Sequence, residues 1–315
     1  MAAQIFVSCG QADDSERAAA AEVKGALEHL GFNVYVAVET QSIEDVNSGI
    51  IRQLERSDYY LFIDFRREHL ADTVDSRGSL FTHQELAIAY VSGFEHVLFF
   101  QQHGVRLEGL LRYLGANPTV FDSTADLALR VQSVAAQRWQ VDYSRHLVAT
   151  RPRWSDEIIR TPTLLGWFLF VDIENRRPFA AAFDTQARLE FITSGSARNV
   201  CGNRSPLKVT GQPGFSQVIW PSSHGAFDVL MVSYEHPERV YLHNALDVLP
   251  SPIISDVGPH RLEYAVLSRD FPVLRFSVNL ELTGNPSTTT AELGTAEPNT
   301  GLQPPARAAI KTRRG

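Results

Sequence analysis

In the stretch RGSLFTHQELAIAY, residues 77–90, a carboxylate stands where a strand hands over to a mostly apolar helix. Leu80, Phe81, Leu86, Ala87, Ile88, Ala89 and Tyr90 supply the apolar positions, and His83, Gln84 and Glu85 fall in the first turns. One reading is a charge that complements the N-terminal helix dipole, worth about 0.3–1 kcal/mol. The other is a catalytic carboxylate at the mouth of an α/β sheet. Cleavage of an N-glycosidic bond passes through an oxocarbenium-like sugar. A single glutamate can stabilise that cation, bind the ribose hydroxyls or act as nucleophile. Where the leaving group is a cationic nicotinamide, no second acid is strictly required.

The elements that must position Glu85 lie in residues 1–140. Short apolar runs at 4–8, 32–38, 59–65, 96–100 and 119–121 alternate with helical patterns at 15–30, 42–57, 80–92, 106–114 and 123–139. Gly31 closes the first helix, and Ser42 with Asp45 resembles a capping box at the start of the second. Five strands joined by helices require right-handed crossovers and a parallel sheet, with the flavodoxin-like order 2-1-3-4-5 expected. Ligands then bind beyond the carboxyl ends of the strands, where the order reverses between strands one and three. Strand one ends in Ser8, Cys9 and Gly10; strand three ends in Asp64, Phe65 and Arg66; Glu85 opens the helix that follows. These three segments are expected to line one nucleotide-ribose crevice. Several of them have plainer readings too. Asp64 can cap or pair with Arg66 or Arg67, His83 reads as an exposed helix residue, and Cys9 as a small buried hydrophobe.

Beyond residue 140 the pattern changes. Residues 141–160 read as a connector, and 161–283 carry seven or eight aromatic and β-branched runs punctuated by Gly, Pro, Asn and Ser, which predict an antiparallel β-sandwich. Residues 284–315, rich in Thr, Pro, Gly and Ala, read as a disordered tail. The scattered histidines His224, His236, His243 and His260 show no metal-ligand spacing.

Charge narrows the partners. The net charge is −7. Residues 1–140 hold 11 basic against 19 acidic side chains, while the remainder holds 18 against 17. An acidic α/β half argues against nucleic acid, which needs a basic surface. No apolar run reaches the roughly 18 residues of a membrane span. Cys9 and Cys201 cannot build a disulfide framework, and the N-terminus lacks a signal-peptide pattern, so a reduced, cytoplasmic setting is expected.

The succession IFVSCGQADD, LGFNVYV, IIRQLERSDYYLFIDF and SLFTHQELAIAY resembles a TIR (Toll/interleukin-1 receptor) domain of the bacterial kind. The resemblance covers about residues 1–140. It implies an NAD-cleaving glycohydrolase or cyclase in defence or signalling, with NAD as substrate, no further cofactor, and self-association into a homo-oligomer on activation. It makes Glu85 the catalytic glutamate, puts Phe81 at the family's aromatic position, and places Ser8, Cys9 and Gly10 on the nucleotide side. Residues 38–46 become the gating BB-loop, and the β-sandwich a sensing or assembly module. The chain departs from the pattern at Ser8-Cys9-Gly10-Gln11, which lacks the family's aromatic, and at IDFRRE. The same glutamate also resembles that of nucleoside 2-deoxyribosyltransferases, which implies nucleoside or nucleotide glycosyl transfer instead. A non-catalytic TIR-like binding or adaptor module is the third expectation.

Overall fold

A computed structural model describes residues 2–37, 43–71, 74–162, 165–201, 205–244 and 251–294. The first part runs β1 (Gln4–Cys9), α1 (Asp14–His29), β2 (Asn33–Val36), α2 (Ile43–Arg56), β3 (Tyr59–Asp64), α3 (Leu80–Val91), β4 (Val97–Gln102), α4 (Gly109–Tyr113), β5 (Thr119–Phe121) and α5 (Thr124–Arg138). The five strands form one sheet, all parallel, in the order β2-β1-β3-β4-β5. The alternation of β1 and β3 explains why their sequences are almost wholly apolar. Ile5, Val7, Cys9, Leu61 and Ile63 pack on one face against Val23, Leu27, Leu127 and Val131 of α1 and α5. Phe6, Tyr60 and Phe62 pack on the other against Ile50, Leu54, Leu86 and Leu111 of α2, α3 and α4. A strand buried on both sides must be hydrophobic throughout. Asp13 caps α1, its side chain accepting from Glu16 N at 2.9 Å, and Gly31 ends it with a φ of +94°, as a C′ glycine does. The capping box proposed at Ser42 lies outside the described residues.

The second part runs β6 (Leu147–Trp154), β7 (Ile159–Arg160), β8 (Leu165–Asn175), β9 (Ala182–Ser194), β10 (Ala197–Val200), β11 (Gln217–Ile219), β12 (His224–Ser233), β13 (Val240–Tyr241), β14 (Gly258–Leu267), β15 (Leu274–Leu282) and β16 (Thr290–Gly294). Two antiparallel sheets result. One has the order β10-β9-β14-β15-β16 with β11 beside β9, the other β13-β12-β8-β6 with β7 beside β8. Leu169, Val171 and Ile173 from one sheet share a core with Leu189, Leu262 and Val278 from the other. Two boundaries expected from the sequence need correcting. The stretch read as a connector contains β6, paired with β8, and the stretch read as a disordered tail contains β16, paired with β15. Residues 295–315 lie outside the described residues. No described helix is long and apolar enough to cross a membrane.

Candidate active site

α3 presents Thr82, Glu85, Leu86 and Ala89 to the sheet. Glu85 is therefore carried inward by the helix period and is 2% exposed. Its Oε2 accepts a hydrogen bond from Ser8 Oγ, which sits fully buried on β1. The register of β1 on β3 pairs Ser8 with Phe62 and Cys9 with Ile63, so this bond lies beside the carboxyl ends of the two strands where the sheet order reverses. Tyr60 is buried directly beneath, stacked on Phe6, and its phenol is held protonated by burial and by the neighbouring Glu85 carboxylate. Cys9 faces the opposite side of β1. Burial, reinforced by Glu85 and Glu16, pushes its thiol up to about 12, the state of an inert core cysteine rather than a nucleophile.

Glu85 does not serve as the helix-start charge. It is the sixth residue of α3, and no acidic residue stands in the first turn. That task falls to Asp64, the last residue of β3, whose Oδ1 accepts from the backbone N–H of Ser79 at 3.1 Å. Oδ2 of the same carboxylate meets His83 Nε2 at 3.2 Å, and the imidazole lies edge-on against Phe62. His83 is thus a half-buried partner of Asp64, not the exposed helix residue expected. Gly78 is required here by space alone, because a Cβ at this position would fall 2.0 Å from Asp64 Oδ1.

The remaining expected contacts divide. Gly10 closes β1 against the guanidinium of Arg67, which forms a two-pronged pair with Glu16; a Cβ on Gly10 would fall 1.9 Å from Arg67 Nη2. Phe65 does not face the crevice. It packs in the core edge-to-face with Phe121, since it follows Asp64 by one residue and points to the other side of the sheet. Arg66 is exposed and turns away, its Nε donating to the carbonyl of His103. Phe81 is half-buried and lines an open cleft of about 430 Å³ together with Arg67, Glu68, Arg77, Gly78, Ser79 and Leu80. Of the stretch read as a gating loop, residues 38–42 lie outside the described residues. The sequence reading missed Tyr60, Glu16 and Gly78; the Gly-Ser pair ahead of α3 was the available signal for the last.

No family model matches the chain, the TIR model included, and no curated protein matches it. Among solved structures the chain is similar to the CMP N-glycosidase BcmB of Clostridium botulinum, at 14% identity and a TM-score of 0.31, over 42% of this chain and 98% of that one. It is also similar to a 2-deoxyribosyltransferase of Bacillus psychrosaccharolyticus, at 18% identity and a TM-score of 0.29, over 40% and 90%. A Listeria innocua β-glucosidase aligns over 88% of this chain and 45% of its own, at 11% identity and a TM-score of 0.30. Likeness at these scores carries no argument about activity.

Proposed function

We propose that the chain cleaves the N-glycosidic bond of a nucleoside or nucleotide, with Glu85 as the carboxylate that meets the anomeric carbon. The observation that carries this reading is a glutamate 2% exposed at the switch point of a parallel sheet, its Oε2 held by Ser8. Burying a carboxylate is costly unless it is hydrogen-bonded. A purely structural residue at this helix position would gain more from an apolar side chain. The bond from Ser8 fixes the plane of the carboxylate before any substrate arrives, which is how a site avoids reorganisation during reaction. As the C1′–N bond breaks, its electron pair leaves with the base and positive charge develops on the sugar. Glu85 stabilises that charge or closes on C1′ as an ester, which water or a second acceptor then opens to restore the carboxylate.

A neutral nucleobase leaves only when a ring nitrogen takes up a proton, whereas nicotinamide leaves NAD without one. The Asp64–His83 pair, on the same sheet face as Ser8, is an acid–base couple of the kind a neutral base needs, and it supports nucleosides or nucleotides over NAD. NAD cleavage is the narrower reading and falls to the same experiment. Base release is measured from purine and pyrimidine nucleosides, their 5′-phosphates and NAD, with wild type beside Glu85→Gln. The expected result is release from a nucleoside or nucleotide that falls about a thousandfold or more in the variant. Release confined to NAD would select the NAD reading. Turnover that survives Glu85→Gln would remove the glutamate from the mechanism.

A further inference from the structure

An α-helix ends with carbonyls that find no partner within the helix. At the end of α2 these groups are met by side chains that belong to the other part of the chain. Arg145 donates from Nε to Ser57 O at 2.7 Å and from Nη2 to Leu54 O at 3.4 Å. His146 donates from Nε2 to Arg56 O at 3.0 Å, and Arg177 from Nη2 to Glu55 O at 2.6 Å. Four successive carbonyls are thus taken up by three side chains. Arg177 Nε also donates to His146 Nδ1 at 3.0 Å, which fixes the imidazole proton on Nε2. Both guanidiniums are buried, at 4% and 9% exposure, where they sit against the negative end of the helix.

From Arg177 the contacts continue into the sandwich. Its guanidinium lies 4.3 Å over the ring of Phe271, and its Nη1 faces Asp270 O at 3.4 Å. Its backbone N–H donates to Asn175 Oδ1 at 3.0 Å, and the amide of Asn175, fully buried at the end of β8, donates to Ala180 O and Ile219 O. From α2 the contacts continue toward the site. Ile50 and Leu54 share a cluster with Phe6, Tyr60, Phe62 and Leu86, on the sheet face to which strand alternation also turns Ser8.

We infer that the sandwich acts as a strap on α2: Arg177, seconded by His146 and Arg145, ties this helix, packed on the sheet face that carries Ser8, to the position of the β sheets. A helix end whose carbonyls are satisfied from outside cannot shift without breaking charge-assisted bonds or taking their donors along. A ligand or partner that displaces the sandwich therefore pulls on α2. This inference stands apart from the reaction proposed above, because its test reads no turnover.

The test is amide hydrogen exchange on the full chain, comparing wild type with Arg177→Met and Phe271→Leu. Phe271→Leu leaves every hydrogen bond to α2 in place and removes the ring that underlies Arg177 and packs edge-on against His146. Both variants are expected to raise exchange of the amides of residues 50–57 about tenfold or more, with β12 and β14 unchanged. Unchanged protection in α2 would overturn the inference, as would an equal rise over the whole chain, which would mark a loss of global stability only. If Arg177→Met does not fold, Phe271→Leu decides alone.

Discussion

Asp64 shows how narrowly one carboxylate is housed at the candidate site. It is fully buried, satisfied by Ser79 N and His83, and Gly78 lies flush against it. Replacing Gly78 by Ala would drive Asp64 off both partners, since the added carbon overlaps the carboxylate rather than a flexible side-chain end. Overpacking of this kind costs about 1–3 kcal/mol. Gly78→Ala is therefore expected to lower the unfolding free energy by that amount, read as a lower denaturant midpoint at unchanged slope, and an unchanged midpoint would show that the β3–α3 turn yields freely. The sequence made Glu85 visible, because a charge among apolar residues just after a buried strand stands out. It could not show Ser8 as the partner of that charge, since the pair is separated by 77 positions and joined only by the strand register. Phe65 was misplaced for a related reason. Strand alternation turns it away from Asp64 into the core, although the two are adjacent in sequence.

At the scale of elements, the helix–strand alternation of residues 1–140 was enough to anticipate the strand order, because parallel neighbours joined by helices have few other solutions. What escaped the sequence was the pair of strands β6 and β16. Both lie on sheet edges; β6 is broken up by Arg151 and Arg153 and carries Pro152 at a register shift, which an edge strand tolerates, and β16 is only five residues long. The joint at the end of α2 was invisible for another reason, namely that its donors are ordinary arginines until the fold buries them. Its histidine makes it sensitive to acid. Burial, then Arg177 and Arg145, hold His146 well below the ordinary imidazole value of 6.5. The unfolded chain therefore takes up this proton more readily than the folded one. The stability involved is intact above pH 6.5 and erodes as pH falls from there toward the folded-state value, at up to about 1.4 kcal/mol per pH unit. Asp58, which burial raises above 3.8, works in the opposite sense and at lower pH, while Arg145 and Arg177 keep their charge throughout. His146→Gln can donate to Arg56 O and accept from Arg177 without titrating. Its unfolding midpoint is expected to fall less than that of wild type between pH 7.5 and 5.5, and an equal fall in both would place the acid sensitivity elsewhere.

For the whole molecule, the joint decides whether two architectures behave as one. The α/β sheet and the sandwich each have their own core, and units with separate cores commonly unfold separately. Here, parting them would leave four helix-end carbonyls without side-chain donors and deprive both guanidiniums of their helix-end acceptors, so each half is less stable alone than within the chain. The chain order tightens this further. Residues 145 and 146 precede β6 directly, and Arg177 follows β8, so two neighbouring strands of one sheet both deliver donors to α2. Wild-type protein is therefore expected to melt in one calorimetric transition, with equal calorimetric and van't Hoff enthalpies. Arg177→Met is expected to separate it into two, the lower of them moving with the variant. Two resolved transitions already present in wild type would mean that the buried arginines hold the interface without coupling its stability, and that α2 can move independently of the β sheets.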